Sequence, residues 1–362
     1  MTTTVDGILV LAKPAGPTSH DMVALVRRLS GIRRVGHGGT LDPFATGVLP
    51  IFLGRATRLV EYHLGAGKEY RATVCFGASS TTDDLEGELT PSDDPAPDRE
   101  RVIDALAVFR GEIVQVPPAH SAVRIAGRRA YALARAGKVP ELTARRVTID
   151  RLELVEWDAT EPERPIGVLD VSCSAGTYIR ALARDLGVAV GNAAHLCALT
   201  RTASGPFTIA RAHPLDEVRA AAAEGRLESL LLPVDAGLDG LPTVVVTPDL
   251  VPAIARGQFV RVEGERAEKG AGPVRVVEPD GRLVAIASWR DRRLAPDKVL
   301  VDAPGRADLP AGPEGRDAAD VAVEAGAGMH LSDDDAVVDA AAAADRDPEQ
   351  GVDPDPASID DG

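Results

Sequence analysis

The sequence has few cysteines and no long apolar run. Cys75, Cys173 and Cys197 are far apart and form no CxxC pair, so we expect buried thiols rather than a disulfide or a zinc site. No apolar run approaches the roughly 18 residues of a membrane-spanning helix, so no membrane partner is expected. The N-terminus lacks a basic segment followed by a long apolar core. This excludes a typical secretory signal and predicts a cytoplasmic protein.

Motifs for metal ions and nucleotide cofactors are also missing. The seven histidines show no HExxH or other ligand spacing. The GAGK segment at residues 65–68 lacks the earlier glycine of a phosphate loop, and Glu69 follows it where Ser or Thr is needed. No GxGxxG follows a strand-like segment. We therefore expect neither a metal nor a cofactor.

Positive charge is scarce, because the formal net charge is −15. Acidic residues are concentrated at the C-terminus, where residues 303–362 hold 16 acidic and 3 basic side chains, which leaves −2 for the rest. Basic clusters at residues 27–34, 124–129 and 145–146 could line a face for nucleic acid. The C-terminal segment is rich in Ala, Asp, Gly and Pro without apolar periodicity, which predicts a disordered acidic tail.

Strands and helices alternate irregularly along the first two-thirds of the chain, which favours an α+β fold with a mixed sheet. A capping-box pattern at residues 18–21 and a glycine at position 31 predict a helix between them. A second, mostly β unit is predicted from Leu241, with a hairpin at residues 279–281. The predicted domains are therefore 1–240, 241–302 and the tail, 303–362.

The stretch most suggestive of chemistry is GHGGTLDPFATGVLP, residues 36–50. Its glycines permit positive φ and close approach to a ligand. Pro43 biases Asp42 toward an extended conformation. An Asp that projects from a stiff, otherwise apolar loop suits direct chemistry on a substrate, although a lone Asp-Pro is more often just a turn.

Two other positions are candidates for functional residues. Arg180 falls in the first turn of the helix predicted within SAGTYIRALARDL, residues 174–186, where a cation opposes the helix dipole. Such a placement hints at a function, although a solvated surface Arg fits equally well. Tyr70 opens a predicted strand, where an aromatic is either part of the core or a platform for an unpaired base.

Several segments together resemble one known family. They are LAKPAGPTS at 11–19, the loop at 36–50, KEY at 68–70, QVPPAHSAVRIAGRRAYALARAGK at 115–138, GTYIR at 176–180 and AHLCALTRTASGPF at 194–207. In this order they resemble the TruB family of tRNA pseudouridine synthases. The resemblance implies a pseudouridine synthase catalytic domain, followed by a small RNA-binding module of the PUA type.

The same resemblance implies roles for single residues. Asp42 matches the catalytic Asp, Arg180 its partner Arg, and Tyr70 the Tyr that lies against the target uracil. Substrate-binding roles are implied for four more residues: His37, which would fill the space left by a flipped base, Lys13, Tyr178 and Leu199. The sequence departs from the family pattern at four positions: Phe44, His120, Arg124 and Ala175.

The reaction implied by the resemblance is the isomerisation of uridine 55 to pseudouridine in the T loop of elongator tRNAs. The N1–C1′ bond breaks, the uracil turns over and C5 joins C1′, so no cofactor is needed. Ionised Asp42 would either add to C1′ or remove a C2′ proton. Arg180 within about 4–6 Å is expected to keep the pKa of Asp42 low. The target base would flip out of its stack at a cost of about a few kcal/mol.

Three other readings fit parts of the pattern. The first is a tRNA-folding chaperone with incidental catalysis. The second is a guide-dependent synthase, against which the lack of a long basic extension argues. The third is a glycosidase using Asp42, which requires a second carboxylate roughly 5–9 Å away that no other segment suggests. The expected partner is the T stem-loop of tRNA, and the protein is expected to be a monomer.

Overall fold

The computed structural model describes residues 5–120, 142–262 and 272–302, and the backbone of Arg124–Ile125 and Arg128–Arg129. The predicted acidic tail lies outside the described residues. So do most of residues 121–138, which belong to the segment 115–138 that resembles the TruB family. The helices are α1 (Ser19–Ser30), α2 (Glu61–Leu64), α3 (Arg99–Leu106), α4 (Ile179–Ala189), α5 (Leu215–Ala223) and α6 (Val251–Ala255).

Most of the strands belong to one large sheet. The strands are β1 (Gly7–Lys13), β2 (Val35–His37), β3 (Thr46–Leu53), β4 (Lys68–Phe76), β5 (Ala78–Ser80), β6 (Leu89–Pro91), β7 (Gly111–Gln115), β8 (Arg124–Ile125), β9 (Arg128–Arg129), β10 (Arg145–Asp158), β11 (Ile166–Cys173), β12 (Ala194–Ser204), β13 (Phe207–Thr208), β14 (His213–Pro214), β15 (Leu231–Leu232), β16 (Thr243–Val245), β17 (Val274–Val277), β18 (Leu283–Arg290) and β19 (Arg293–Val299).

The large sheet has the order β14-β1-β3-β12-β4-β11-β10-β7, with β2, β13 and β15 paired at its sides. The pairs β1–β14 and β3–β12 are parallel and the remaining pairs are antiparallel, so the predicted mixed α+β architecture is confirmed. Across the centre, Gly47 of β3 pairs with Arg201 of β12, which pairs in turn with Tyr70 of β4. This row places the end of the Asp42 loop beside Tyr70.

The helix predicted after residue 18 is α1. The Thr18 hydroxyl accepts from the Asp21 amide at 3.0 Å, and the Asp21 carboxylate accepts from the Thr18 amide at 2.8 Å. Gly31 ends the helix at φ 68°, a left-handed conformation that glycine adopts without strain. The predicted capping box and glycine stop are thus confirmed.

The main core lies between the large sheet and the helices on one of its faces. α1 contributes Met22 and Val26, and α4 contributes an apolar stripe: Ile179, Leu182, Ala183 and Leu186. A smaller cluster, which includes Ile8, Val10, Val48 and Phe52, forms a second core. The large sheet is therefore covered by apolar side chains around the strands that carry the candidate site.

A second sheet, in the order β16-β17-β18-β19, follows in the C-terminal part of the described chain. It has its own core of aliphatic residues, among them Val244, Ile254 and Val284. Gly281, at φ 88°, closes the predicted turn between β17 and β18. Leu59 and Leu238, which lie outside the strands, pack with residues of the second sheet.

The cysteine expectation is wrong for two of the three residues. Cys75 and Cys197 form a disulfide, with their Cα atoms 5.9 Å apart, and both are only partly buried. They lie on the neighbouring strands β4 and β12, which bring together residues 122 positions apart. Cys173 is a free, buried thiol, as expected.

Within the described ranges, no helix is both long enough and apolar enough to cross a membrane.

Candidate active site

The loop between β2 and β3 carries Asp42 and is bound by a buried arginine. Arg201 on β12 is 1% exposed. Its guanidinium donates to the carbonyl oxygens of Val48 at 2.8 Å, Thr40 at 3.1 Å and Gly39 at 3.1 Å. A buried guanidinium is tolerated only when its N–H groups are satisfied, so Arg201 and the loop constrain each other.

Two further side chains bind the same loop. The ammonium of Lys13, itself 1% exposed, donates to three backbone carbonyls, among them those of Pro43 at 3.0 Å and Ala45 at 2.7 Å. Burial lowers the pKa of Lys13 to about 8. The Ser19 hydroxyl donates to the Leu41 carbonyl at 3.1 Å and accepts from the Leu41 amide at 2.8 Å. Lys13 thus holds the loop, and its contact with a substrate remains a prediction.

Gly47 allows the chain that follows the Asp42 loop to pair closely with β12. Its φ is +102°, and a Cβ added there would lie 2.2 Å from the carbonyl oxygen of Arg201. No side chain can occupy that position without moving β3 away from β12. The glycine therefore permits the close pairing that brings the Asp42 loop to the centre of the sheet.

Asp42 forms an ion pair with Arg180 of α4. Nη2 of Arg180 donates to Oδ1 of Asp42 at 3.1 Å, and Nε lies 3.0 Å from Oδ2. The Arg180 side chain is 6% exposed, whereas one-third of the Asp42 side chain, 33%, is exposed. The pair predicted from the sequence is therefore in direct contact, and its carboxylate is the accessible member.

Arg180 is bound on its other sides as well. Its Nη1 lies 3.3 Å from Oδ2 of Asp84 and donates to the Thr82 carbonyl at 3.1 Å, and its Nη2 donates to the His120 carbonyl at 3.0 Å. Asp84 is 4% exposed and also accepts from the Glu86 amide at 3.0 Å. Since both terminal nitrogens donate to protein oxygens, Arg180 is placed to hold Asp42 rather than to bind a substrate itself.

The pKa of Asp42 is not held low, contrary to expectation. Burial is the largest influence and raises the pKa of this carboxyl above its usual value. Arg180 and Lys13 oppose that rise, whereas the negative charge of Asp84 adds to it. The expectation considered one opposing cation, but the depth of the site and the second carboxylate were not visible in the sequence.

Tyr70 lies beside the Asp42 loop through its contact with Arg201. The two residues are partners across β4 and β12. Tyr70 is partly buried and packs against the main core. Burial raises the pKa of its hydroxyl, against the positive charge of Arg201, which lowers it, so the phenol stays protonated at neutral pH. Both roles considered for this aromatic, core packing and base contact, are compatible with this position.

Tyr178 precedes α4 and is held by an amide side chain. Gln115, at the end of β7, accepts from the Tyr178 amide at 2.8 Å and donates to its carbonyl at 3.1 Å. The guanidinium carbon of Arg145 lies 4.8 Å from the centre of the Tyr178 ring, within range of a cation–π interaction. Gln115 thereby sets where α4 begins, and with it the position of Arg180.

His37 and Leu199 are both buried. His37 ends β2 and is 8% exposed, and burial together with the nearby Arg201 lowers its pKa to about 4. It is therefore neutral at neutral pH. Leu199 lies on β12 opposite Ala72 and is 7% exposed. Contacts of both residues with a substrate remain predictions.

Three functional neighbours escaped the sequence analysis: Asp84, Arg201 and Gln115. Each acts on a residue more than 60 positions away, on Arg180, the Asp42 loop or Tyr178. The adjacent carboxylates of Asp83 and Asp84 were a visible signal, but nothing local showed that one of them is buried. Asp84 is a second carboxylate on Arg180, but its low exposure keeps it from a substrate.

One group of side chains in the described part of the chain has the composition of a metal site. Cys75, His195 and Cys197 place their ligand atoms within 4.8 Å of one another. Cys75 lies five residues along β4 from Tyr70, which is roughly 17 Å of extended strand. The group is therefore separate from Asp42 and Arg180.

Comparison with known proteins identifies the family of the chain. Residues 27–179 match the family described as TruB family pseudouridylate synthase (N terminal domain). Residues 180–239 match the tRNA pseudouridylate synthase B C-terminal domain. A protein of Bradyrhizobium diazoefficiens named tRNA pseudouridine synthase B is 43% identical over 312 residues, which cover 83% of this chain and 89% of that protein. The chain belongs to the TruB family.

Other relatives and solved structures extend the match. The tRNA pseudouridine synthase B of Thermobifida fusca is 43% identical and aligns over 82% of this chain and 98% of its own length. A chain of a Cbf5-Nop10-Gar1 complex has the same fold, with a TM-score of 0.62 and 28% identity over 82% of this chain and 85% of that chain. An archaeal box H/ACA sRNP Nop10-Cbf5 complex gives a TM-score of 0.63 and 26% identity over 83% and 88%.

This TruB-family protein is accordingly an isomerase that forms pseudouridine in tRNA. The family assignment made from the sequence motifs is confirmed. It removes the glycosidase reading, because the family's reaction returns the base to the same sugar.

Proposed function

We propose that this enzyme isomerises uridine 55 in the T loop of elongator tRNAs, with Asp42 acting on the ribose of the target nucleotide. The observation that carries the proposal is the Asp42–Arg180 pair, in which an accessible carboxylate is held by a buried guanidinium. A carboxylate beside a carbon with oxocarbenium character is what breaking a glycosidic bond requires. Asp42 would either add to C1′ or remove the C2′ proton.

In this proposal Arg180 acts through Asp42. Besides Asp42, its guanidinium contacts three polar groups: the Asp84 carboxylate and the carbonyls of Thr82 and His120. A substrate would have to displace these groups to bind the guanidinium directly. A pre-positioned cation keeps part of the Asp42 population ionised despite burial, without reorganisation during the reaction. Arg180 is thus proposed as a positioning residue.

Tyr70 is proposed to contact the uracil. Tyr70 pairs across β4 and β12 with Arg201, which also binds the Asp42 loop, so the ring and the carboxylate are positioned by the same residue. Stacking on an aromatic ring is worth about 1–3 kcal/mol per base and offsets part of the cost of flipping. His37, Tyr178, Lys13 and Leu199 would complete the surroundings of the flipped nucleotide.

The second sheet is proposed to bind tRNA away from the reacting uridine. It corresponds to the unit assigned to residues 241–302, a PUA-like module that follows a catalytic domain of residues 1–240. None of the proposed active-site residues belongs to it. Phosphate and sugar contacts, which position a nucleic acid without reading its sequence, suit such a module. The monomeric state and a cytoplasmic location also remain predictions.

The test maps pseudouridine in transcribed tRNA after incubation with the full-length enzyme alone. We expect one new pseudouridine, at position 55, and none in a transcript with cytidine at that position. Asp42→Asn should form none. Modification at a different uridine, or turnover by Asp42→Asn within tenfold of wild type, would contradict the proposal.

A further inference from the structure

Three side chains that the reaction does not use converge on one face of the large sheet. Cys75 on β4 lies directly opposite His195 on β12, and Cys197 follows two residues later. Cys197 sits in an irregularity of the β12 register, between Leu196 and Ala198. Such bulges re-aim side chains. Here the two sulfur atoms and the nearer histidine nitrogen lie within 4.8 Å of one another.

The histidine of this group has a defined tautomer. Nδ1 of His195 lies 3.0 Å from the carbonyl oxygen of Ala78, and the ring is 6% exposed. A carbonyl can only accept, so the hydrogen is on Nδ1 and the lone pair is on Nε2. That lone pair faces Sγ of Cys197 at 3.5 Å. A histidine that donates one ring N–H to a backbone carbonyl and directs the other nitrogen at thiolates is oriented as metal-binding histidines are.

The distances also match a shared metal ion. Zn²⁺ binds thiolate sulfur at about 2.3 Å and imidazole nitrogen at about 2.0–2.1 Å in a tetrahedron, which separates sulfur and nitrogen by about 3.6 Å. The separation between Cys197 Sγ and His195 Nε2 is 3.5 Å. Two thiolates on such an ion lie about 3.8 Å apart, close to the contact distance of two unbonded sulfur atoms. After reduction the two sulfur atoms would separate from bonding distance to about this spacing.

A cavity adjoins the group and supplies access. It has a volume of about 560 Å³ and is lined by Cys75 and His195, with Asp158, Glu161 and Arg164 also on its wall. An ion held by two sulfurs and one nitrogen would keep its fourth position for water. The cavity provides that position and a route for the ion.

We propose that the reduced protein binds one thiophilic divalent cation, such as Zn²⁺, through the Cys75 and Cys197 thiolates and Nε2 of His195. The disulfide and the metal exclude each other, because each uses both sulfur atoms. A phosphine reductant supplies two electrons and one water supplies oxygen and two protons, so the disulfide becomes two thiols and the phosphine becomes its oxide. Binding of the cation then releases both thiol protons to solvent. The site departs from the expectation that the protein holds no metal.

The test titrates Co²⁺, a coloured substitute for Zn²⁺, into the full-length protein. One sample is reduced with a phosphine and freed of the reductant without air, and the other is kept oxidised. The reduced sample should develop sulfur-to-cobalt charge-transfer absorption that saturates at one equivalent and is bleached by one equivalent of Zn²⁺. The oxidised sample should show none. A reduced wild-type protein without this absorption would overturn the proposal.

Variants test which residues bind the ion. Cys197→Ser and His195→Gln should each weaken Zn²⁺ binding at least about 100-fold, since loss of even an outer partner costs 10–100-fold. Cys173→Ala is the matched control, because this buried thiol lies on β11 outside the group, and it should bind as wild type does. Alkylation of the reduced wild-type protein tests the thiols without a mutation and should abolish binding. Full binding by Cys197→Ser or by the alkylated protein would refute the assignment.

Discussion

The large and the small sheet differ in what they bury. All twelve buried polar or charged residues of the described chain lie between positions 13 and 204, and residues 241–262 and 272–302 contain none. An ion taken out of water costs several kcal/mol unless it is paired and hydrogen-bonded. Burial of these groups therefore costs folding free energy in the large sheet, whereas the small sheet has an aliphatic core and no such cost. Buried polar and charged groups of this kind are typical of a region whose geometry serves chemistry.

The buried charges of the large sheet are also connected. Arg180 binds Asp42 and Asp84, whereas Arg201 binds the Asp42 loop and pairs across the strands with Tyr70. Removing one member leaves another without its partner, which is more damaging than removing an isolated group. Changes in this network should therefore affect the chemical step, and changes in the small sheet should affect binding.

The largest effect is expected for Asp42→Asn. The change removes the reactive carboxylate but keeps its shape, so the single-turnover rate should fall by more than about 10³-fold, while tRNA affinity changes by only a few-fold. Rapid-quench assays and filter binding measure the two quantities. Asp93→Asn, at an exposed carboxylate, is the control and should behave as wild type. Equal losses of rate and affinity would argue against a chemical role.

Arg180→Ala should rank second, with a loss of about 10²–10³-fold at neutral pH. Burial already raises the pKa of Asp42, and Arg180 opposes that rise, so its removal raises the pKa further. Because the ionised carboxylate is the active form, the rate should recover in part as the pH increases. Arg180→Lys should lie between Ala and wild type, since a point charge replaces the planar fork. A pH–rate profile parallel to that of wild type would show that Arg180 does not act on the ionisation of Asp42.

Asp84→Asn should have a smaller effect and shift the profile in the opposite direction. The amide can still accept from Arg180, so we expect a loss of about tenfold. Asp84 contributes negative charge that raises the pKa of Asp42, so its removal lowers that pKa. The acidic limb of the pH–rate profile should therefore move to lower pH, whereas Arg180→Ala moves it to higher pH. A shift in the same direction for both variants would contradict the arrangement of charges.

The features that the sequence predicted are local, whereas those that it missed depend on contacts between distant segments. The Asp42 loop and the capping box of α1 depend on residues within about a dozen positions, and both were recognised. The contact of Arg180 with Asp42, 138 residues earlier, was inferred only through the family resemblance. Asp84, Arg201 and the Cys75–Cys197 pair were missed, because strand pairing between distant segments determines them. The direction of the Asp42 pKa shift depends on burial depth, which local patterns do not contain.

Deleting residues 241–362 tests the role of the small sheet. We expect tRNA to bind about tenfold more weakly, while the single-turnover rate at saturating enzyme stays within about threefold of wild type. The deletion also uncovers Leu59 and Leu238, which pack with the second sheet, so thermal unfolding must confirm that the remainder is folded. A folded deletion variant with unchanged affinity would remove the small sheet from the RNA-binding surface.

Deleting only residues 303–362 is the matched control and should have the smallest effect. These residues hold 16 acidic and 3 basic side chains, and their removal changes the net charge of the chain from −15 to −2. Less repulsion of the phosphate backbone should strengthen tRNA binding a few-fold at low ionic strength. Screening should abolish this gain near 0.15 M salt, where the Debye length is about 8 Å. Binding constants measured across a salt series check the expectation. A loss of turnover at every salt concentration would show instead that the acidic segment contributes to the catalytic domain.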